Sequence, residues 1–228
     1  MRLNKYLAHC GVSSRRKCDQ LIKDKKIFIN GKIVIDYSYK VSNDDIVVFQ
    51  NKVLNLENNK SIYLLNKPKG YICSNSKESK KRVIDLIKDD KRLYTVGRLD
   101  VNTSGAILIT NNGDLANQLL HPRYNKEKKY IAKTKIDIPK QEYLRLKSGL
   151  HIGNKEIAVG EIKRMKKQKG YIYWKIKLTE GKNKEIKRIF EKLGSKVVDL
   201  HRYEFAGFKI DGILEGKYRK ITQKVIKY

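Results

Sequence analysis

What this chain lacks narrows its chemistry. Its three cysteines, Cys10, Cys18 and Cys73, form no CxxC pair, and an odd number cannot close a complete disulfide framework. They read as reduced thiols of a cytoplasmic protein. The four histidines, His9, His121, His151 and His201, stand at no spacing that holds a metal, so no metal site is expected. Lys67-Pro68-Lys69-Gly70 lacks the Walker glycine pattern, and no other segment looks like a nucleotide cradle. The longest apolar runs, such as 106–109, fall far short of the roughly 20 residues of a membrane span. Met1-Arg2-Leu3-Asn4-Lys5 leads into a polar periodic segment rather than a signal-peptide core. Neither internal repeats nor long low-complexity tracts stand out.

The other shortage is acid. Over 228 residues, 24 Asp and Glu face 52 Lys and Arg, which leaves a formal net charge of +28. A codon bias toward lysine would raise the bases but would not hold the acids down. Residues 1–60 carry 12 bases against 6 acids and the remainder 40 against 18, so no single appended tail explains the excess. A surface this basic attracts a polyanion through counterion release. Nucleic acid is the expected partner, ahead of an anionic membrane. The 40% hydrophobic content is enough for a packed core.

Residues 1–57 read as a small unit. Leu3, Tyr6, Leu7 and Cys10 recur at helical spacing up to Gly11, and Ser13 or Ser14 can cap a second helix facing inward through Cys18, Leu21 and Ile22. Asn30-Gly31 between Ile27-Phe28-Ile29 and Lys32-Ile33-Val34 is a strong hairpin signal, and a strand follows at 45–49. The Asn-rich stretch 51–60 reads as a linker. In the larger part, 58–228, strands are expected at 62–65, 71–73, 93–96, 106–110, 130–134, 171–178 and 197–201, with a pair near the end. Helices fit 83–88, 115–120, 141–147 and 184–193. Without a regular βαβ alternation, the fold class is α+β, a mixed and largely antiparallel sheet flanked by helices.

Two segments carry chemistry. Ser13-Ser14-Arg15-Arg16-Lys17 places three bases at a helix start, where backbone amides also favour phosphate. Lys5, on the preceding helix, joins them as a candidate RNA contact. The second segment is Val96-Gly97-Arg98-Leu99-Asp100-Val101-Asn102-Thr103-Ser104-Gly105, a hydrogen-bonding loop between two strands. One acid sits there between Leu99 and Val101, where burial without a partner is costly. On its own such an Asp is more often a turn former than a catalyst.

The whole of 1–50, with its short helix, Gly-Val-Ser-Ser-Arg-Arg, second helix and Ile-Asn-Gly-Lys hairpin, resembles the alpha-L (S4-type) RNA-binding module. Gly97 to Gly105, a strand and Thr110-Asn111-Asn112-Gly113-Asp114 resemble the signature of ribosomal RNA pseudouridine synthases of the RsuA/RluB type. Lys128-Lys129-Tyr130, Glu180-Gly181-Lys182-Asn183-Lys184-Glu185-Ile186-Lys187-Arg188-Ile189-Phe190, Leu200-His201-Arg202 and Gly216-Lys217-Tyr218-Arg219 continue the likeness in order. The resemblance implies that Asp100 attacks the target nucleotide, that Arg98 fills the space the nucleotide leaves, and that Tyr130 stacks on the base. Some relatives carry arginine where Lys187 stands. It also implies a ribosomal RNA partner, 23S before 16S, and a catalytic role without cofactor. A non-catalytic RNA-binding ribosome-assembly factor is the alternative.

On the predicted last-named helix, Ile186, Ile189, Phe190 and Leu193 form one apolar stripe. By the 3.6-residue period Lys187 lies about 110° from its centre and Arg188 about 150°. Lys187 is therefore expected to pair with Asp100 and keep it ionised, and Arg188 to face outward toward RNA phosphate, as is Lys129 beside Tyr130. The chain is expected to act as a monomer.

Overall fold

The computed structural model describes residues 1–76 and 81–222. It divides into two compact units, residues 1–61 with 90–92 and 111–113, and the remainder.

In the first unit, α1 (Leu3–His9) and α2 (Arg15–Lys23) bury Leu3, Leu7, Cys18 and Ile22 with Ile27 and Ile29 of β1 (Ile27–Ile29). Ser14 is the cap of α2: its hydroxyl oxygen accepts from the Lys17 amide at 3.2 Å. β1 turns into β2 (Lys32–Ile33) through Asn30 and Gly31, whose φ values of 51° and 79° are the two positive angles of a type I′ hairpin. β3 (Val47–Phe49) and β4 (Lys52–Val53) complete an antiparallel sheet in the order β2-β1-β3-β4. The supposed linker thus begins as a strand. Gln50 and Asn51 take positive φ and fold the chain back on itself.

The second unit is built on a nine-stranded sheet. Its first strands are β5 (Ile62–Lys67), β6 (Tyr94–Val96) and β7 (Thr103–Thr110). After α3 (Gly113–Leu120) come β8 (Lys128–Thr134) and α4 (Lys140–Leu144). A separate hairpin, β9 (Leu150–His151) and β10 (Ile157–Ala158), leads to β11 (Gly160–Gln168) and β12 (Tyr171–Leu178). The chain ends its described course with α5 (Glu185–Lys192), β13 (Val197–Phe205), β14 (Phe208–Lys209) and β15 (Tyr218–Lys220). The order is β11-β12-β8-β13-β7-β5-β15, with β6 on β7 and β14 on β13. Only β7 and β13 run parallel among the pairs described, so the sheet is mixed and largely antiparallel, as expected.

Strand alternation puts Ile172, Trp174, Ile176 and Leu178 inward from β12, where the apolar stripe of α5 meets them; the Trp174 and Phe190 rings lie 5.7 Å apart, edge to face. A second cluster fills the other face of β5 and β7 with Leu64, Leu108, Leu115, Leu119 and Phe205. The parallel pair is unusually close. A Cβ on Gly105 would stand 2.1 Å from the carbonyl oxygen of Arg202, so only glycine lets β7 lie against β13 there.

Two expectations fail locally. Residues 71–73 form no strand, only an isolated bridge from Ile72 to Arg82, and 83–88 yields a short 3-10 turn, Val83–Leu86. β11 was not foreseen at all.

Candidate active site

Residues 97–102 leave β6 and enter β7 as a tight turn, closed by the Thr103 amide donating to the Asp100 carbonyl at 3.0 Å. Lys67, at the end of β5, lies behind it and is fully buried. Its ammonium donates to the carbonyls of Pro68 (3.0 Å), Val101 (3.3 Å) and Thr103 (2.8 Å), so one cation fastens both sides of the turn that presents Asp100. Burial pulls the Lys67 pKa down, while the nearby charge of Asp100 opposes that fall.

The turn opens onto a cleft of about 440 Å³. Lys187, on the first turns of α5, reaches Asp100 across it, with Nζ 3.0 Å from Oδ2. Tyr130 on β8 and Arg202 on β13 are register partners on adjacent strands and share the cleft wall, the guanidinium carbon 5.9 Å from the tyrosine ring centre. Arg98 is exposed at the rim. Asp100, Tyr130, Lys187 and Arg98, drawn from four separate elements, are therefore brought together.

Two other expectations need correction. Arg188 does not face solvent toward phosphate. Its guanidinium donates to Ile152 O at 3.0 Å, Gly153 O at 2.9 Å and Asn183 O at 3.2 Å, and pairs with Glu156 at 2.5 Å. The loop joining β9 to β10 lies over that side of α5 and consumes it. Lys129 points to the face of β8 away from the cleft, because side chains alternate along a strand, and it is paired with Glu204 at 2.8 Å and Glu127 at 3.4 Å. Its neighbour Lys128 lines the cleft instead.

Three residues inside the quoted motifs had no assigned role, and all line the cleft. Lys128 is buried, donating to Lys126 O at 3.1 Å and Thr179 O at 2.6 Å. Glu185, 4% exposed, accepts from the Lys182 amide at 2.9 Å through Oε2, and burial pushes its carboxyl pKa up. Arg202, 3% exposed, donates through Nε to Ala106 O at 2.7 Å. Glu185 Oε1 and Arg202 Nη2 have no hydrogen-bond partner among the described residues. A charged residue at an inward strand position is the sequence signal that marks Arg202.

In the first unit, Arg15, Arg16 and Lys17 are exposed at the start of α2, and Lys5 is half-buried on α1. Three cations there oppose the helix dipole, an arrangement that an anion would relieve. Among the described residues no group of His, Cys, Asp or Glu could hold a metal, and no helix is long and apolar enough to cross a membrane.

The description RNA pseudouridylate synthase matches residues 61–192, and the S4 domain matches residues 1–47. Ribosomal large subunit pseudouridine synthase B of Bacillus subtilis is 36% identical, covering 99% of this chain and 94% of its own length. The chain belongs to the RNA pseudouridylate synthase family. Dual-specificity RNA pseudouridine synthase RluF of Escherichia coli is 30% identical over 97% of the chain and 76% of its own length. A crystal structure of a pseudouridylate synthase, 27% identical, superposes with a TM-score of 0.71 over 98% of this chain and 97% of that one. As a member of the family, the protein is an enzyme that isomerises uridine in RNA to pseudouridine, and the alternative of a non-catalytic assembly factor falls away.

Proposed function

We propose that the substrate is a uridine of ribosomal RNA, in the large subunit rather than the small one, turned out of its stack into the cleft. Asp100 acts there as the nucleophile. The observation that carries this reading is the Asp100–Lys187 pair at a cleft wall that also presents Tyr130. The isomerisation breaks the bond from N1 to the ribose, rotates the base and rejoins it through C5; C5 gives up a proton and N1 gains one. Nothing is oxidised or hydrolysed overall, so a carboxylate that forms and then releases a covalent intermediate meets the need, and no cofactor is called for. Lys187 holds Asp100 ionised until the nucleotide arrives. The Tyr130 ring offers a flat face for the base, and its hydroxyl a route for the C5 proton. Arg98 occupies the gap left in the RNA stack.

Residues 1–57 serve as the RNA-binding domain and 58–228 as the catalytic domain. Arg15, Arg16, Lys17 and Lys5 grip RNA backbone. The protein works as a monomer in the cytoplasm, with no membrane association. The Bacillus subtilis relative, matched along nearly its whole length, supports the large-subunit target.

Pseudouridine mapping of rRNA from cells with the wild-type gene, a deletion and Asp100→Asn tests the reading. One large-subunit uridine should stay unmodified in both the deletion and Asp100→Asn. Unchanged modification in Asp100→Asn would overturn the nucleophile, and a lost site in the small subunit would overturn the target.

A further inference from the structure

Buried polar atoms in a folded protein are nearly always hydrogen-bonded, and a buried charged atom left unmatched is costly. Two such atoms of opposite sign occur here in one cleft wall: Oε1 of Glu185 and Nη2 of Arg202. Each side chain is otherwise anchored, Glu185 by the Lys182 amide and Arg202 by Ala106 O, so neither can swing away to find water. Lys128 lies close enough to both to act on each electrostatically, and it shares the Phe205 ring with Arg202, at 5.8 Å and 4.7 Å. An acceptor and a donor are thus fixed side by side, without partners, on the same sheet face as Tyr130.

We propose that Glu185 and Arg202 read the edge of the flipped base, Glu185 Oε1 accepting from N3–H of uracil and Arg202 Nη2 donating to a neighbouring carbonyl oxygen. This rests on the reading of the cleft as the uridine site and adds the device by which it selects the base. Uracil presents acceptor, donor, acceptor along that edge, in O2, N3–H and O4. Cytosine presents a bare N3 lone pair where uracil has N3–H. A carboxylate facing it gains no hydrogen bond and meets a second electron pair, while Glu185 remains buried and unmatched. A site built to hydrogen-bond a group rejects the analogue lacking it more sharply than a purely apolar pocket does. Tyr130 holds the ring face and Asp100 the sugar side, which leaves this edge for the cleft wall. Nothing in the isomerisation itself needs Glu185, so its role is specificity and positioning.

The test is a cycle between residue and substrate. The probe is the rRNA stem-loop around the uridine that mapping identifies, made with either uridine or 3-deazauridine at that position. The analogue replaces N3–H by C–H without adding bulk. Wild-type enzyme should bind both RNAs alike but lose about ten- to a hundredfold in single-turnover rate on the analogue, the range for a hydrogen bond to a charged group. Glu185→Leu should be slow on uridine yet lose little more on the analogue. Glu185→Gln, which keeps an acceptor oxygen, should recover most of the rate on uridine. Equal losses on the analogue in wild type and Glu185→Leu would overturn the inference, as would a wild-type enzyme indifferent to it. Failure of the wild-type enzyme to form any pseudouridine in the all-uridine RNA would instead overturn the proposed function.

Discussion

Lys187 Nζ lies 3.0 Å from Asp100 Oδ2 across 87 residues of chain, and the two side chains are 31% and 39% exposed. At that exposure an ion pair contributes well under about 1 kcal/mol to stability, because water and salt screen it. The pair is therefore poorly explained as a structural device. Its worth lies in holding a carboxylate charged at the edge of a cleft.

Lys187→Ala should leave the melting temperature almost unchanged and slow the single-turnover rate on the order of a hundredfold, as loss of one preorganised charge partner does. Arg188→Ala should do the reverse. Its four hydrogen bonds hold the loop between β9 and β10, so its loss should cost about 2 to 3 kcal/mol of stability with the rate on folded protein little changed. Denaturant unfolding alongside single-turnover assays separates the two. Matching losses of rate would sink the distinction.

Glu185 makes stability pH-dependent with a defined sign. Burial raises its folded-state pKa above the unfolded value near 4.5, so the folded state holds its proton longer than the unfolded one. Stability linked to this group is complete below pH 4.5 and is lost as pH rises through the folded pKa. Glu185→Gln removes the titration, so its melting temperature relative to wild type should climb between pH 4 and pH 8. A constant difference across that range would contradict the burial argument.

Gly105→Ala should destabilise the second unit by roughly 3 kcal/mol, since its Cβ would meet the Arg202 backbone at 2.1 Å and its φ of +110° disfavours an L side chain. Chemical denaturation measures this directly.

Replacing Arg15, Arg16 and Lys17 together by alanine should lower the slope of log K against log salt for RNA binding by about two to three, one per lost phosphate contact. An unchanged slope would remove the start of α2 from the interface.

Much of this architecture was legible because local rules and the final packing agree. Asn30-Gly31 demanded its turn, the alternation of residues 171–178 gave β12 to the residue, and the stripe of α5 placed Lys187 toward Asp100. The failures have physical causes. β11 carries Glu161, Lys163, Arg164, Lys166 and Lys167 at a sheet edge, where one side of the strand needs no apolar partner and the alternation fades. Arg188 lies on the polar side of its helix, as the wheel indicated, but a wheel cannot see the hairpin that covers that side. Lys128 and Lys129 are adjacent cations on opposite faces of a strand, and choosing between them required knowing which face the cleft occupied. Glu185 and Arg202 stood inside motifs already quoted, yet nothing short of three-dimensional burial reveals that each keeps an atom unmatched.

Lys67 has a consequence for the moment of RNA arrival. A phosphate-rich ligand competes for every mobile ammonium, and Lys187, half open to solvent, can be drawn off its partner. Lys67 cannot follow, pinned beneath the turn by three carbonyls. The nucleophile thus keeps one permanent counter-charge on its protein side while the other is free to change hands, so the approach of a polyanion need not discharge the group that must attack it.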